Sequence, residues 1–246
     1  MKVYSNPKLL PLELWHGLTP WGPLHKSEER HIDAIAFFLR KLHQGEAHTL
    51  SYTDTKKLKH CRGFQKVVLT GGRARKIYES LCEQEFPFEL SCLDESHSTQ
   101  RPRLERTGAK TLLDWGQTSL KIIKEDSIQV IPRDHKMFPL IENEYVPFQE
   151  ARKRIEMFLT NLLTTLNLKY PICVALPVEF QGENLLPSTY QGLEGPLSEI
   201  FSRIPELHGS VFLNDAVLAA LGVSAREEME LVLTCGYGFG GALWKQ

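Results

Sequence analysis

The chain has 246 residues, enough for one large domain or two smaller ones with a substantial core. Its formal net charge is −1 and 42% of its residues are hydrophobic. That balance suits a soluble globular protein and gives no reason to expect nucleic acid as a partner.

The five cysteines, Cys61, Cys82, Cys92, Cys173 and Cys235, are scattered and form no CxxC pair. Buried thiols in a reducing compartment are the simplest account. The opening MKVYSNPKLLPLELW lacks the long apolar core of a signal peptide, and no apolar run approaches a membrane span. A cytoplasmic protein with no membrane partner is the default expectation.

Residues 1–26 are rich in Pro and Trp and read as an irregular or edge-strand segment. Ser27 is placed to cap a helix whose inward face is Ile32, Ile35, Ala36, Leu39 and Leu42. Residues 43–53 are polar and loop-like, and Asp54 is placed to cap a short basic helix ending near Cys61. The Lys56, Lys57, Lys59, Arg62 cluster reads as a solvated face or a phosphate-attracting patch.

Lys66–Thr70 is a β-branched strand ending in Gly71-Gly72, followed by a helix over 73–85 and a second apolar strand over 88–92. This unit suggests a crossover connection on a sheet. The polar stretch 94–110 reads as a linker between subdomains. Thr111–Ile123 then reads as two short strands around the tight turn Trp115-Gly116-Gln117-Thr118, with Asp114 at its mouth.

Ser127–Pro132 follows as the third strand of a meander, and 148–168 as a long amphipathic helix. Ile172–Leu176 is a buried strand closed by Pro177, followed by a loop through Pro187 and a helix over 196–203. Val211–Leu213 is a short strand and Asp215–Leu221 a small apolar helix starting at Asn214-Asp215. Leu231–Cys235 is a buried strand, followed by the glycine cluster 236–241 and a closing strand over 242–245.

The chemistry-bearing residues collect at strand ends, where loops of sheet proteins bind ligands. Gly116 and Thr118 can shape an anion-binding concavity beside Asp114, an arrangement suited to Mg²⁺ bridging to phosphate. An ordinary hairpin with a turn aspartate is the plainer alternative. Glycines 236, 238, 240 and 241 can offer amides to phosphate oxygens, or form a β-hairpin with a wide bulge. Gly71 and Gly72 can admit a ligand to the backbone or simply make a tight turn. Asp215 is either a catalytic carboxylate or a helix cap. Four such strand ends can converge on one cleft.

Four segments carry a resemblance. LLDWGQTSLKI resembles the first phosphate motif of the actin-like sugar kinases of the ROK and hexokinase type. VFLNDAVLAALG resembles the ROK segment holding the catalytic aspartate, LVLTCGYGFGGALW the second phosphate motif, and VVLTGG the adenosine motif. VALPVEF and the following residues through GPL are similar to the region before the catalytic aspartate. In the family the adenosine motif comes last, whereas here it comes first. Joining the end of the chain to its beginning restores the family order, so the resemblance implies a circular permutation. In the joined text, Glu13-Leu-Trp-His16-Gly17 resembles the sugar-contacting segment, and Gly22-Pro-Leu-His25 the start of the zinc loop.

The implied fold is α/β, a two-lobed actin-like (ribonuclease H-like) ATPase with mixed sheets flanked by helices. Residues 1–107 plus 225–246 would form the adenosine and second-phosphate lobe, and 108–224 the first-phosphate lobe. The implied activity is ATP-dependent phosphorylation of a hydroxyl on a sugar or related small molecule. Asp215 would be the general base, and Asp114 would hold Mg²⁺ through water. Gly116, Thr118, Gly236, Gly238 and Gly240 would bind phosphates and Gly71 and Gly72 the adenosine. Asn214, Glu13 and His16 would contact the acceptor.

The chain departs from the family pattern at Gln117, Tyr237 and Arg73, where the family has glycine, threonine and glycine. The zinc cysteines are missing, so no zinc is expected, and His16, His25 and His31 read as surface or core histidines. Gln117 and Tyr237 put bulk where phosphate should sit, which supports the alternative of a catalytically inactive sugar or nucleotide sensor. An actin-like ATPase acting on a protein partner is a third reading. A homodimer is one allowed assembly.

Overall fold

A computed structural model describes residues 1–15, 28–46, 59–93, 97–116, 118–134, 136, 145–188, 190–223, 228–236 and 239–245. The protein is α/β, with mixed sheets flanked by helices. It divides into two compact units, one of residues 1–4 and 104–215, the other of 5–103 and 216–246. The sequence reading set the lobe limits at 107/108 and 224/225. The units divide instead at 103/104 and 215/216, and residues 1–4 join the first unit.

The first unit is built on a six-stranded sheet. Strands β5 (Thr111–Trp115), β6 (Ser119–Lys124) and β7 (Ser127–Pro132) form an antiparallel meander. Strands β8 (Ile172–Leu176) and β12 (Val211–Asn214) extend it in parallel from β5, and β1 (Lys2–Val3) adds to the outer edge. Helix α4 (Phe148–Thr165) links β7 to β8. Its Ala151, Ile155, Leu159 and Leu163 recur at helical spacing and are buried. They pack with Leu113, Trp115, Val174, Leu176 and Phe212 in one core. Between β8 and β12 lie a small antiparallel sheet of β9 (Phe180–Gln181), β10 (Asn184–Leu185) and β11 (Gly195–Pro196), and helix α5 (Leu197–Phe201).

The second unit has a five-stranded sheet in the order β2 (Leu9–Trp15), β14 (Phe239–Trp244), β13 (Glu230–Cys235), β3 (Lys66–Thr70) and β4 (Glu89–Cys92). β13 is antiparallel to β14, β14 to β2, and β13, β3 and β4 run parallel. Helix α1 (Glu28–Gln44) links β2 to β3 and buries Ile35, Ala36, Leu39 and Leu42 as expected. Full burial of Leu39 and Leu42 stabilises the unit by roughly 1.5–3 kcal/mol for each side chain. Helix α2 (Ala74–Leu81) links β3 to β4.

The two sheets repeat one plan. In each, an antiparallel three-strand meander is extended from its first strand by two parallel strands, in the order third, second, first, fourth, fifth. In the first unit these are β7, β6, β5, β8 and β12, and in the second β2, β14, β13, β3 and β4. A helix follows the third, fourth and fifth strand in both, the last being α6 (Asp215–Leu221) and α3 (His97–Thr107) respectively. In the second unit the meander is assembled from opposite ends of the sequence. Lys245 donates its backbone N–H to the Lys8 carbonyl at 2.8 Å where β14 meets β2.

Several expectations change. Residues 97–107 are a helix rather than a linker, with Gln100, Arg103 and Leu104 buried. Trp115 belongs to β5 and pairs with Leu120, because its buried ring prolongs the strand into the core. Gly240 and Gly241 lie inside β14 rather than in a loop. Residues 9–15 form an edge strand, as one of the two readings had it. Ser27, Asp54, Lys56 and Lys57 lie outside the described residues; of the expected basic helix, the described residues Lys59–Cys61 form a 3₁₀ turn. No helix among the described residues is long and apolar enough to cross a membrane.

Candidate functional site

In the first unit, parallel pairing puts Asp114 and Asp215 at the same edge of the sheet. Asp114 is the penultimate residue of β5, level with Ala175 of β8, which is level with Leu213 of β12. Asp215 follows at the end of β12 as the first residue of α6. With β8 between them, the strands carrying the two carboxylates stand about 10 Å apart, twice the ordinary strand spacing. Alternation places Asp114 on the sheet face of Leu112, opposite the face of Leu113 and Trp115 that packs on α4.

The hairpin at this edge is tighter than the expected four-residue turn. The Gly116 N–H donates to the Ser119 carbonyl at 2.9 Å, leaving only residues 117 and 118 as the loop. A Cβ on Gly116 would stand 3.2 Å from that carbonyl, so the close approach explains the glycine. Its own amide is therefore engaged within the turn. Thr118 is exposed, and its carbonyl accepts a hydrogen bond from the Arg133 N–H at 3.0 Å. This fastens the end of β7 to the turn and brings Arg133 to the same edge.

The hairpin register sets Lys121 opposite Asp114, with its Nζ 3.8 Å from Asp114 Oδ2. The Asp114 side chain keeps only 13% of its exposure. Behind the turn, the buried Tyr190 donates its hydroxyl to the Gly116 carbonyl at 2.7 Å and stands edge-on to Trp115, 6.3 Å between ring centres. Burial pushes the Tyr190 phenol far above its ordinary range, and the nearby Asp215 charge adds to this while Arg133 opposes it. The hydroxyl thus stays a donor, within electrostatic reach of both Asp215 and Arg133. Asn214 donates from Nδ2 to the Val178 carbonyl at 2.9 Å, tying the end of β12 to the segment after β8.

The second unit gathers its glycines at the corresponding edge. β13 and β3 run parallel to Thr234 and Thr70, so Gly71 and Gly236 leave adjacent strand ends. Gly71 has φ +101°, and a Cβ there would stand 2.8 Å from the Cys235 carbonyl oxygen. That carbonyl also accepts the Arg73 N–H at 3.0 Å. Packing alone thus accounts for Gly71, whereas Gly72 and Gly236 have nothing within 4 Å of an added Cβ. Gly240 pairs with Thr234 in the ladder and sits opposite a bulge in β2 that includes the Glu13 backbone. His16, His25, Gln117, Tyr237 and Gly238 lie outside the described residues.

The structure therefore brings Asp114, Gly116, Thr118, Asn214 and Asp215 to one edge of the first unit. It brings Gly71, Gly72 and Gly236 to one edge of the second, with Gly240 on the neighbouring strand. Lys121, Arg133 and Tyr190 were missed. Lys121 is recoverable from the hairpin register once the loop is two residues long. Tyr190 carried no local signal, because its partner is 74 residues away.

Among the described residues, no group of three or more His, Cys, Asp or Glu side chains is arranged to hold a metal ion. Mg²⁺ needs no such cage when phosphates and water complete its shell. Asp114, partly exposed at a strand end, fits that limited role, with Lys121 as a competing cation. No protein-family model matches the chain, and neither the curated proteins nor the solved structures contain a significant match to it.

Proposed function

We propose that this chain is an ATP-dependent kinase that phosphorylates a hydroxyl of a sugar or related small molecule, on a circularly permuted actin-like fold of the ROK type. The observation that carries the reading is the repeated plan of the two sheets. The two glycine-bearing hairpins, 116–119 and 235–239, join the first and second strands of their respective sheets. Two segments read separately as phosphate motifs thus occupy equivalent places in equivalent sheets. The backbone bond between Lys245 and Lys8 supports the permutation, since it closes the second meander without a local connection.

Phosphoryl transfer asks chiefly for positioning and charge stabilisation. Asp215, at the mouth of β12, would accept the proton of the attacking hydroxyl, an effect worth about 10²–10⁴-fold in rate. Asn214, held by Val178, would orient the acceptor. Asp114 would hold Mg²⁺ through water, and the ion, when bound, would neutralise phosphate charge. Lys121 and Arg133 add positive charge at the same edge. Thr118, Gly236 and Gly238 would bind phosphates, and Gly72 would leave room for the adenosine.

ATP consumption measured across a panel of sugars tests the proposal. Turnover that depends on one sugar, and is abolished by Asp215→Asn without loss of fold, supports it. Nucleotide binding without turnover indicates the sensor, and sugar-independent turnover an ATPase serving a protein partner. Either result overturns the kinase.

A further inference from the structure

The six-stranded sheet of the first unit ends differently on its two sides. At one edge β1 has only two residues, Lys2 and Val3, and a very short strand is one way natural sheets blunt an edge against pairing with other chains. At the other edge β7 runs for six residues, Ser127–Pro132, with no charged residue among them. Among the described residues β7 has a neighbour on one side only, and Val130 is 56% exposed.

The bonding direction along β7 follows from its end. The Arg133 N–H donates to the Thr118 carbonyl across the β6–β7 ladder, so alternation turns the backbone groups of Ile131, Gln129 and Ser127 toward β6. Those of Ile128 and Val130 point away from the sheet, together with the carbonyl of Pro132. Pro132 has no N–H, and it stands at an outward position where the ladder does not miss one. Ile128 and Val130 also share a sheet face, that of Lys121 and Asp114.

These outward groups are self-complementary in one register. In an antiparallel pair related by a two-fold axis at Gln129, Ile128 of one copy stands opposite Val130 of the other, and each both donates and accepts. Asp126 comes level with Pro132, and the acidic turn Glu125-Asp126 meets the Arg133 end of the other strand. A two-fold axis at Val130 instead sets Ile128 against Pro132, which cannot donate, and Asp126 against Asp134, a like-charge pair. We propose that β7 is a homodimerisation edge, pairing antiparallel with β7 of a second copy about Gln129. The sheet then runs unbroken from the β1 edge of one copy to the β1 edge of the other, and the closed pair leaves no long edge on this sheet to recruit a third chain. The contact does not require the kinase reading.

Sedimentation equilibrium of the full chain should show a concentration-dependent dimer. Val130→Pro deletes an outward N–H that β6 does not use, so the chain should keep its far-ultraviolet circular dichroism. The two-fold contact loses that bond twice, and association should weaken roughly five- to hundredfold, the equivalent of two net hydrogen bonds. Gln129→Cys tests the register. Facing residues of a non-hydrogen-bonded antiparallel pair have Cα atoms about 4.5 Å apart, within the range that a disulfide spans. Mild oxidation should therefore link Gln129→Cys into covalent dimers. Ser127→Cys, which faces Ile131 of the other copy, should give no more than the unaltered chain does with its own five cysteines. A chain that stays monomeric at every concentration, a dimer that a folded Val130→Pro leaves intact, or cross-linking no better at 129 than at 127 overturns the inference.

Discussion

Replacing Gly71 and Gly72 separately by alanine distinguishes a glycine held by packing from one left open for a ligand. Gly71 ends β3 with φ +101°, and an alanine Cβ would stand 2.8 Å from the Cys235 carbonyl oxygen and 3.1 Å from its carbon and nitrogen. The Cys235 carbonyl is also pinned by the Arg73 N–H, so the backbone has no easy way to retreat. Strain at the positive φ contributes about 1–3 kcal/mol and overpacking about as much again, giving a loss of about 2–6 kcal/mol. That is a large share of the roughly 5–15 kcal/mol that holds a domain folded. At a typical slope of about 2 kcal/mol per molar urea, the midpoint should fall by about 1–3 M, followed by far-ultraviolet circular dichroism. Gly72→Ala meets nothing within 4 Å and should leave the midpoint nearly in place while weakening nucleotide binding. A Gly71→Ala midpoint within about 0.3 M of the unaltered chain refutes the packing argument.

Two further expectations concern stability. Trp244→Phe removes the buried indole N–H that donates to the Ala220 carbonyl at 3.1 Å; that carbonyl keeps the Val223 N–H at 3.1 Å, so the lost bond should cost about 0.5–1.5 kcal/mol. A loss below about 0.5 kcal/mol in urea unfolding contradicts this. Burial pushes the Cys61 thiol from 9.0 up to about 12, and raises Cys173 and Cys235 as well. The unfolded thiols ionise first, so this contribution is fully present below about pH 9 and is lost as pH rises toward 12. The fall is about 1.4 kcal/mol per pH unit for each such thiol, and Cys61→Ala should make the slope shallower. An unchanged slope in alkaline unfolding curves refutes the assignment to Cys61.

Much of the sheet framework was legible. Lys66–Thr70, Ser127–Pro132 and Ile172–Leu176 are strands with the expected limits, because apolar β-branched runs end at Gly, Pro or acidic turns. Asp215–Leu221 is likewise the expected helix. Residues 97–107 were misread because the side chains this helix buries include Gln100 and Arg103, so no apolar period marks its face. Pro102 inside it added a false stop signal. The strands β9, β10 and β11 have two residues each, too short for any alternation to register. At the candidate site, the carboxylates and glycines could be named from local pattern. Their engagement could not: the use of the Gly116 amide by Ser119, the Lys121 charge beside Asp114 and the Tyr190 hydroxyl are set by pairing and packing.

The chain order of the second sheet bears on how the protein is made. β13 is the strand that β14 and β3 both flank, yet it is translated long after β2, β3 and β4. The nascent polypeptide therefore presents β3, all five of whose residues are buried in the folded unit, while its central neighbour is still unsynthesised. Meanwhile the strands β5 to β12 of the first unit are complete before β13 leaves the ribosome. Exposed strand edges of that kind invite association. A folding factor that shields the early segments, or a brief docking on another surface, would matter most during the interval before residue 230 appears.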